Sequence, residues 1–275
     1  MRSLLSTLKG IKFSVIAPSE QAVFPGMQAW PDSEQYERLI GEIQRFRGMV
    51  YVQEGILLPT DLDAQGRHQR ASDFAAWHLV LRDRPDHILG AMWLRVHDLR
   101  GGALRFEDLQ IYEHIARAND EQLASALDTA TRHFLAESAK NYKYFSEVGG
   151  WAIREEVRRT ALAPILAASL WSLARIVGGG TGLAIARVRH QCADVLKRMG
   201  GMDLYSGGEP LPRFYDSFYR DMFEVIGFDS QYSCQQLEPT IEDIRAYLCE
   251  TPILTTPSLL SLAARSAPLL LEKAA

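Results

Sequence analysis

The sequence has 275 residues, 47% hydrophobic and 23% charged, with a net charge of −4, which gives a globular chain with a sizeable core and no basic footprint for nucleic acid. Its three cysteines, Cys192, Cys234 and Cys249, form no C-x-x-C pair, so buried thiols in a reducing compartment fit better than a disulfide framework or a metal site. No stretch reaches the roughly 20 apolar residues of a membrane span, and the first residues lack the apolar core of a secretory signal; a cytoplasmic protein is expected.

In chain order, "KFSVIAP" (12–18) reads as a strand ended by Pro18. An amphipathic helix follows, capped by Asp32, with Tyr36, Leu39, Ile40, Ile43, Phe46 and Val50 on one stripe. After a polar loop, "AAWHLVLRD" and "HILGAMWLRVH" read as an antiparallel hairpin. Residues 104–140 read as helix, broken near Asn119-Asp120. A strand over 142–153, a helix from about 160 to 177 stopped by Gly178-Gly179-Gly180, and the strand "GLAIARV" make a parallel strand–helix–strand unit. "QCADVLKRM" is a short helix, "FYRDMFEVIGFD" a last strand and "TIEDIRAYLCE" a helix, with the apolar tail also expected to be helical. The order predicts an α/β fold with one mixed sheet and helices on both faces. The whole chain 1–275 is expected to be one domain with its core at about 30–235 and a helical extension over 236–275.

One stretch carries the chemistry. "EVGGWAIREEVRRTALAPIL" (147–166) sets two glycines inside a strand and then a basic turn ahead of a helix start. Strand glycines mark a bulge or a close approach, and a helix N-terminus offers free N–H groups to a phosphate. The segment 154–198 holds eight basic residues and three acidic ones, an excess suited to one phosphorylated ligand or an acidic partner.

Arg158-Arg159-Thr160-Ala161-Leu162-Ala163 resembles the Arg/Gln-x-x-Gly-x-Gly/Ala turn of the GNAT superfamily of N-acyltransferases, with alanine in place of the first glycine. "FRGMVYVQEG", Asp63, "ASDFAAWHLVLRD" and "GAMWLR" are similar to the front half of acyl-homoserine lactone synthases and long-chain N-acyl amino acid synthases, and related exosortase-associated acyltransferases share the layout. The resemblance covers roughly 35–235. It implies the GNAT fold, with a splayed sheet, and an acyl group carried by acyl-CoA or by the phosphopantetheine of an acyl carrier protein to the amine of a small acceptor, an amino acid above all. Gly149-Gly150-Trp151 stands where lactone synthases have Ser-Arg-Phe, which favours plain N-acylation.

On that reading, Arg158 to Ala163 bind phosphate, and the backbone at Val148, Gly149 and Gly150 receives the pantetheine arm and the thioester oxygen. Glu147 ranks first as proton acceptor, ahead of Asp63 and Asp73, with a salt-bridged structural role as its alternative. Arg95 and His190 are candidates for the acceptor carboxylate. Val195 and Leu196 occupy the region where many GNAT enzymes carry a tyrosine acid. Apolar residues in 104–140 either line the acyl pocket or pack in the core, and their pattern fits both equally well. An acetyl-CoA-dependent acetyltransferase and a non-catalytic acyl-CoA or carrier-protein binder are the alternatives.

Overall fold

The computed structural model describes residues 10–19, 24, 27–100, 104–118 and 120–256. The chain opens with β1 (Lys12–Ile16) and β2 (Ala29–Pro31). Helix α1 (Ser33–Gln53) begins where Asp32 accepts the Gln35 N–H at 2.9 Å, which satisfies one donor that a helix start leaves free. Its stripe from Tyr36 to Val50 is buried on the sheet, as its spacing predicts.

Strands β3 (Trp77–Arg84) and β4 (His87–Asp98) form the hairpin. The helical region breaks where the sequence indicates. Residues 104–109 make a short turn, α2 (Gln110–Ala116) follows, and α3 (Glu121–Asn141) starts on an Asp120 cap. Strand β5 (Tyr144–Ile153), α4 (Leu162–Ile176) and β6 (Thr181–Arg187) form the crossover unit with β5 and β6 parallel. Then come α5 (Cys192–Met199), the short strands β7 (Met202–Asp203), β8 (Tyr205–Ser206), β9 (Glu209–Pro210) and β10 (Phe214–Asp216), and the long β11 (Asp221–Asp229). Helix α6 (Glu238–Glu250) and β12 (Ile253–Thr255) close the described chain.

One ten-stranded mixed sheet runs β10-β11-β6-β5-β4-β3-β1-β12-β2, with β7 also paired to β11. Helices α1, α2 and α3 cover one face, and α4, α5 and α6 cover the other. The tail differs from its expected helix. Ile253 to Thr255 form a strand between β1 and β2, parallel to both. Pro252 and Pro257 flank the run Ile-Leu-Thr-Thr, so a helix cannot pass through it while extended backbone can. Residues Glu238–Thr255 thus join the central sheet and core rather than forming a helical extension, and β1 lies in the sheet although it precedes residue 30. The rest of the expected helical tail, 257–275, lies outside the described residues.

The sheet opens at its centre. The β5–β6 ladder runs from Phe145–Thr181 to Val148–Ala184 and stops, while β5 continues to Ile153 and β6 to Arg187. Against β4, Gly149 pairs with Trp93 but Ala152 pairs with Ala91, so β5 carries an extra residue at Gly150-Trp151. Gly150 has φ +65°, a left-handed backbone that glycine adopts without a Cβ penalty. This bulge turns the upper half of β5 away from β6. The expected splay is therefore present and begins at the two glycines.

Candidate active site

A cavity of about 1300 Å³ passes through this opening, bordered by Val148 to Trp151 on one side and by Ala184 to Arg187 on the other. On the α4–α6 face its wall is apolar: Met92, Val148, Val195, Leu196, Met199 and Leu237. On the opposite face it meets Tyr51, Glu54, Gln110, His114, Tyr219 and Phe223. The apolar residues of 104–140 do not line it. Phe106, Leu109, Ile111 and Leu127 lie in the core under α2 and α3 instead, because their helical faces turn onto Phe145 and Leu183 of the sheet. The small side chains of Ala184 and Ala186 keep the β6 wall open. Cys192 also borders the cavity, and burial pushes its thiol up to about 11, so it stays protonated at neutral pH.

The glycines serve a packing purpose that the sequence does not reveal. A Cβ on Gly149 would stand 2.4 Å from Trp93 Cζ2, and one on Gly150 would stand 2.3 Å from Trp93 Cδ1. The Trp93 indole lies against both residues, so their missing side chains make room for tryptophan on that face. The side of this backbone that β6 has left borders the cavity.

Of the expected phosphate turn, Arg158, Arg159 and Ala163 line the cavity together with Pro164. Thr160, Ala161 and Leu162 shape the turn without bordering it. Thr160 Oγ donates to Val157 O at 2.7 Å and accepts from the Leu162 N–H at 3.2 Å, and Ala161 is the N-cap of α4. At the C-terminal ends of the splayed strands an acidic residue intrudes. Glu54, just past α1, forms ion pairs with Arg158 Nη2 at 2.6 Å and with Arg187 Nη1. Arg187 reaches Asp221 as well. Arg159 and Arg198 border the cavity with no ion pair among the described residues. His190 also borders it, in a left-handed conformation with φ 62°, and burial lowers its pKa below the ordinary imidazole value.

The basic segment is less available than its charge implies. Arg175 pairs with Glu238 and Glu242, and Lys197 with Asp203 and Glu224. Acids from distant elements thus neutralise much of the surface expected to dock a carrier protein.

Three candidates for the chemistry lie outside the cavity lining and are engaged by neighbouring side chains and backbone. Glu147 is 3% exposed and does not border the cavity. Its Oε2 accepts from Arg95 Nη1 at 3.1 Å and lies 2.9 Å from His97 Nε2, and its Oε1 accepts the Gln110 N–H at the start of α2. The carboxylate ties β4, β5 and α2 together, and Arg95, bonded also to Asp108 O at 3.3 Å, is held in this hub and does not border the cavity. Asp73 is buried, accepts from Arg47 Nη1 at 2.9 Å and Nη2 at 2.8 Å, and accepts from Gln44 Nε2 at 2.9 Å. Burial works to raise its pKa, but the Arg47 guanidinium and the Gln44 amide hold it down to about 2. Asp63 caps its own loop, accepting the N–H groups of Gln65 and Arg67 at 2.9 and 2.8 Å. Among the described residues no cluster of three or more metal-ligating side chains forms, and no helix is long and apolar enough to cross a membrane.

Sequence reasoning passed over Glu54, His114 and Tyr219, all of which border the cavity. Glu54 lies within "FRGMVYVQEG" but carries no role of its own there, and His114 and Tyr219 sit in no local motif. Each arrives from a different element, so the only signal would be a contact between positions far apart in the chain.

No family model matches the sequence, and no curated protein is similar to it. Solved structures are similar in fold. The CoA-dependent acyl-homoserine lactone synthase BjaI, solved with SAM and isopentyl-CoA, superposes with a TM-score of 0.54 at 14% identity, covering 92% of this chain and 98% of its own. The same synthase with MTA gives 0.50 at 12% identity over the same shares. The N-acyl amino acid synthase FeeM from uncultured soil microbes gives 0.48 at 10% identity, covering 80% of this chain and 92% of its own. The chain therefore has the α/β fold of acyl-homoserine lactone synthases, the mixed, splayed GNAT-type sheet that the sequence resemblance implies.

Proposed function

We propose that this protein is an N-acyltransferase that moves an acyl chain from an acyl thioester to the amine of a small acceptor. One observation carries the reading: the cavity runs through the gap between β5 and β6, with Arg158, Arg159 and Arg187 at the strand ends and an apolar wall on the α4–α6 face. The arginines and the start of α4 suit the phosphates of the donor. The unpaired edge of β5 beyond Val148 suits the pantetheine arm, whose amides seek backbone partners. Met92, Val195, Leu196 and Met199 suit an acyl chain. The volume exceeds the roughly 300–1,000 Å³ of an ordinary small-molecule pocket, as a site for two substrates requires.

Acyl-CoA is the donor the charges favour, because Arg159 and Arg198 on the cavity wall form no ion pair among the described residues, whereas Arg175 and Lys197 outside it are engaged with acids. BjaI, solved with isopentyl-CoA, is consistent with that choice. The acceptor is a small primary amine, with an amino acid the acceptor that the sequence resemblance implies. Amide formation leaves a thiolate, which departs readily because a thiol's pKa is only about 8.5; no acid is required where Val195 and Leu196 stand.

The test is thiol release from acetyl- to palmitoyl-CoA in the presence of amino acids and alkylamines, with the product weighed by mass spectrometry. The expected result is amine-dependent release, faster for chains longer than acetyl, with an N-acyl product. Tight acyl-CoA binding without release identifies a non-catalytic binder, and neither binding nor release refutes the reading.

A further inference from the structure

His114 is 2% exposed and is one of the residues that border the cavity. It stacks on Tyr219 with 5.8 Å between centroids and 21° between planes, and meets Phe214 and Phe223 at 5.9 and 5.5 Å. Its Nδ1 lies 2.7 Å from Asp216 Oδ2, a close contact that is not aligned as a hydrogen bond. Asp216 is itself firmly held. Its Oδ1 accepts the N–H groups of Phe218 and Tyr219 at 2.9 and 3.1 Å, and its Oδ2 accepts from Arg117 Nε and Nη2 at 3.0 and 2.9 Å. Burial opposes ionisation, but these donors and His114 keep the Asp216 carboxyl well below the usual carboxylate range.

An ionised carboxylate facing Nδ1 fixes the proton on that nitrogen and leaves the lone pair on Nε2. Nε2 has no hydrogen-bond partner among the described residues. Buried polar atoms in folded proteins are nearly always partnered, and an exception calls for an explanation. Both ring nitrogens are buried, in a residue that borders the cavity, and a substrate N–H that reaches Nε2 on binding is the partner that completes it.

We propose that His114, oriented by Asp216, is the proton acceptor for the attacking amine. The inference rests on the acyltransferase reading and names the residue that this reading lacks. The amine nitrogen forms its bond to the thioester carbonyl carbon, and the carbon–sulfur bond breaks. The amine proton passes to Nε2, and the departing thiolate takes it back from the imidazolium, so the products are an amide and a free thiol. Asp216 stabilises the imidazolium in between, as the carboxylate of a catalytic dyad does. Its misaligned contact fits this role, since catalytic hydrogen bonds often tighten only with substrate bound.

The charged and titratable groups around the ring are Asp216 on β10, Glu113 on α2, Arg117 just past its end, Arg70 before β3, and Tyr219 before β11. Burial lowers the His114 pKa, Asp216 opposes that, and Arg117 and Arg70 add to it. The net direction is downward, so the imidazole is neutral and able to accept a proton at pH 7.

The experiment compares wild type with His114→Gln and Asp216→Asn, measuring melting temperature, acyl-CoA affinity and turnover of a weakly basic amine across pH. Expected for His114→Gln are an unchanged donor affinity and a kcat lower by about 10²–10⁴-fold. The wild-type profile should show an acid limb below the ordinary imidazole pKa, and His114→Gln should lack it. If the variants fail to fold, the wild-type acid limb alone decides: a flat profile with this amine overturns the inference. So does a folded His114→Gln with kcat within threefold of wild type. A wild type that turns over no acyl-CoA at all defeats the acyltransferase reading instead, whatever the variants do.

Discussion

Replacing Asp73 with asparagine removes the counter-charge of Arg47 and keeps the shape of the side chain. Both residues are 1% exposed, and the guanidinium forks onto both carboxylate oxygens. Removing one partner of such a pair strands a buried charge, at a cost of about 3–5 kcal/mol. Linkage gives a similar size. The carboxyl is held down to about 2 in the fold, against about 3.9 when unfolded, which corresponds to about 2–3 kcal/mol. Because the folded pKa is the lower one, this stabilisation is complete above about pH 4 and disappears as pH falls towards 2. In a chain of this size about 3 kcal/mol lowers the melting temperature by roughly 6–12 °C. Thermal melts of Asp73→Asn at neutral pH should show that drop, and the gap to wild type should narrow in acid. Turnover per folded molecule should stay near normal, since Asp73 does not border the cavity. Replacing Arg47 by methionine in the same chain should restore part of the loss, because the stranded charge goes with it. A variant that melts within about 2 °C of wild type while losing a hundredfold in kcat would refute this reasoning and return Asp73 to the chemistry.

Gly150→Ala should destabilise by about 1–3 kcal/mol in urea melts, since it adds overpacking against Trp93 to a left-handed backbone. Glu147→Gln should lower the melting temperature by about 2–3 kcal/mol worth of stability, less than a fully buried pair because Arg95 and His97 are partly exposed; a normal melting temperature with lost turnover would make it catalytic after all. Glu54→Gln frees Arg158 and leaves Arg187 with Asp221 alone, and it should tighten CoA binding severalfold at low salt by calorimetry, the gain shrinking as salt rises. Ala163→Glu sets a carboxylate at the start of α4 and should abolish CoA binding in a folded protein, judged by circular dichroism and titration together.

The helices and inner strands were legible because each carries its own local cue. Asp32 and Asp120 cap helices, Gly178 to Gly180 stop one, and the stripe from Tyr36 to Val50 repeats at helical spacing. The bulge was legible for the same reason, although its glycines answer to Trp93, a partner that no spacing rule reveals. β10 and β12 escaped notice because three residues are too few for a periodic signal, and their pairing is supplied by distant strands. The site was half legible. The turn before α4 is one continuous segment, so its composition betrays it. Glu54, His114 and Asp216 come together only through the sheet and the helices stacked on it. Glu147 shows a different limit: beside the strand glycines it reads as a proton acceptor, while Arg95, His97 and the Gln110 N–H that surround it come from elements that no local pattern brings together.

Hydrogen exchange with and without a thioether analogue of decanoyl-CoA, which cannot transfer its acyl chain, tests the central claim most directly. A donor seated in the opened sheet should slow amide exchange over 149–153, at the start of α4 over 159–165, and along α5, while the Asp63–Asp73 loop exchanges as before. Saturating binding that leaves those three segments unprotected, or protects only surfaces away from the β5–β6 gap, would contradict the account.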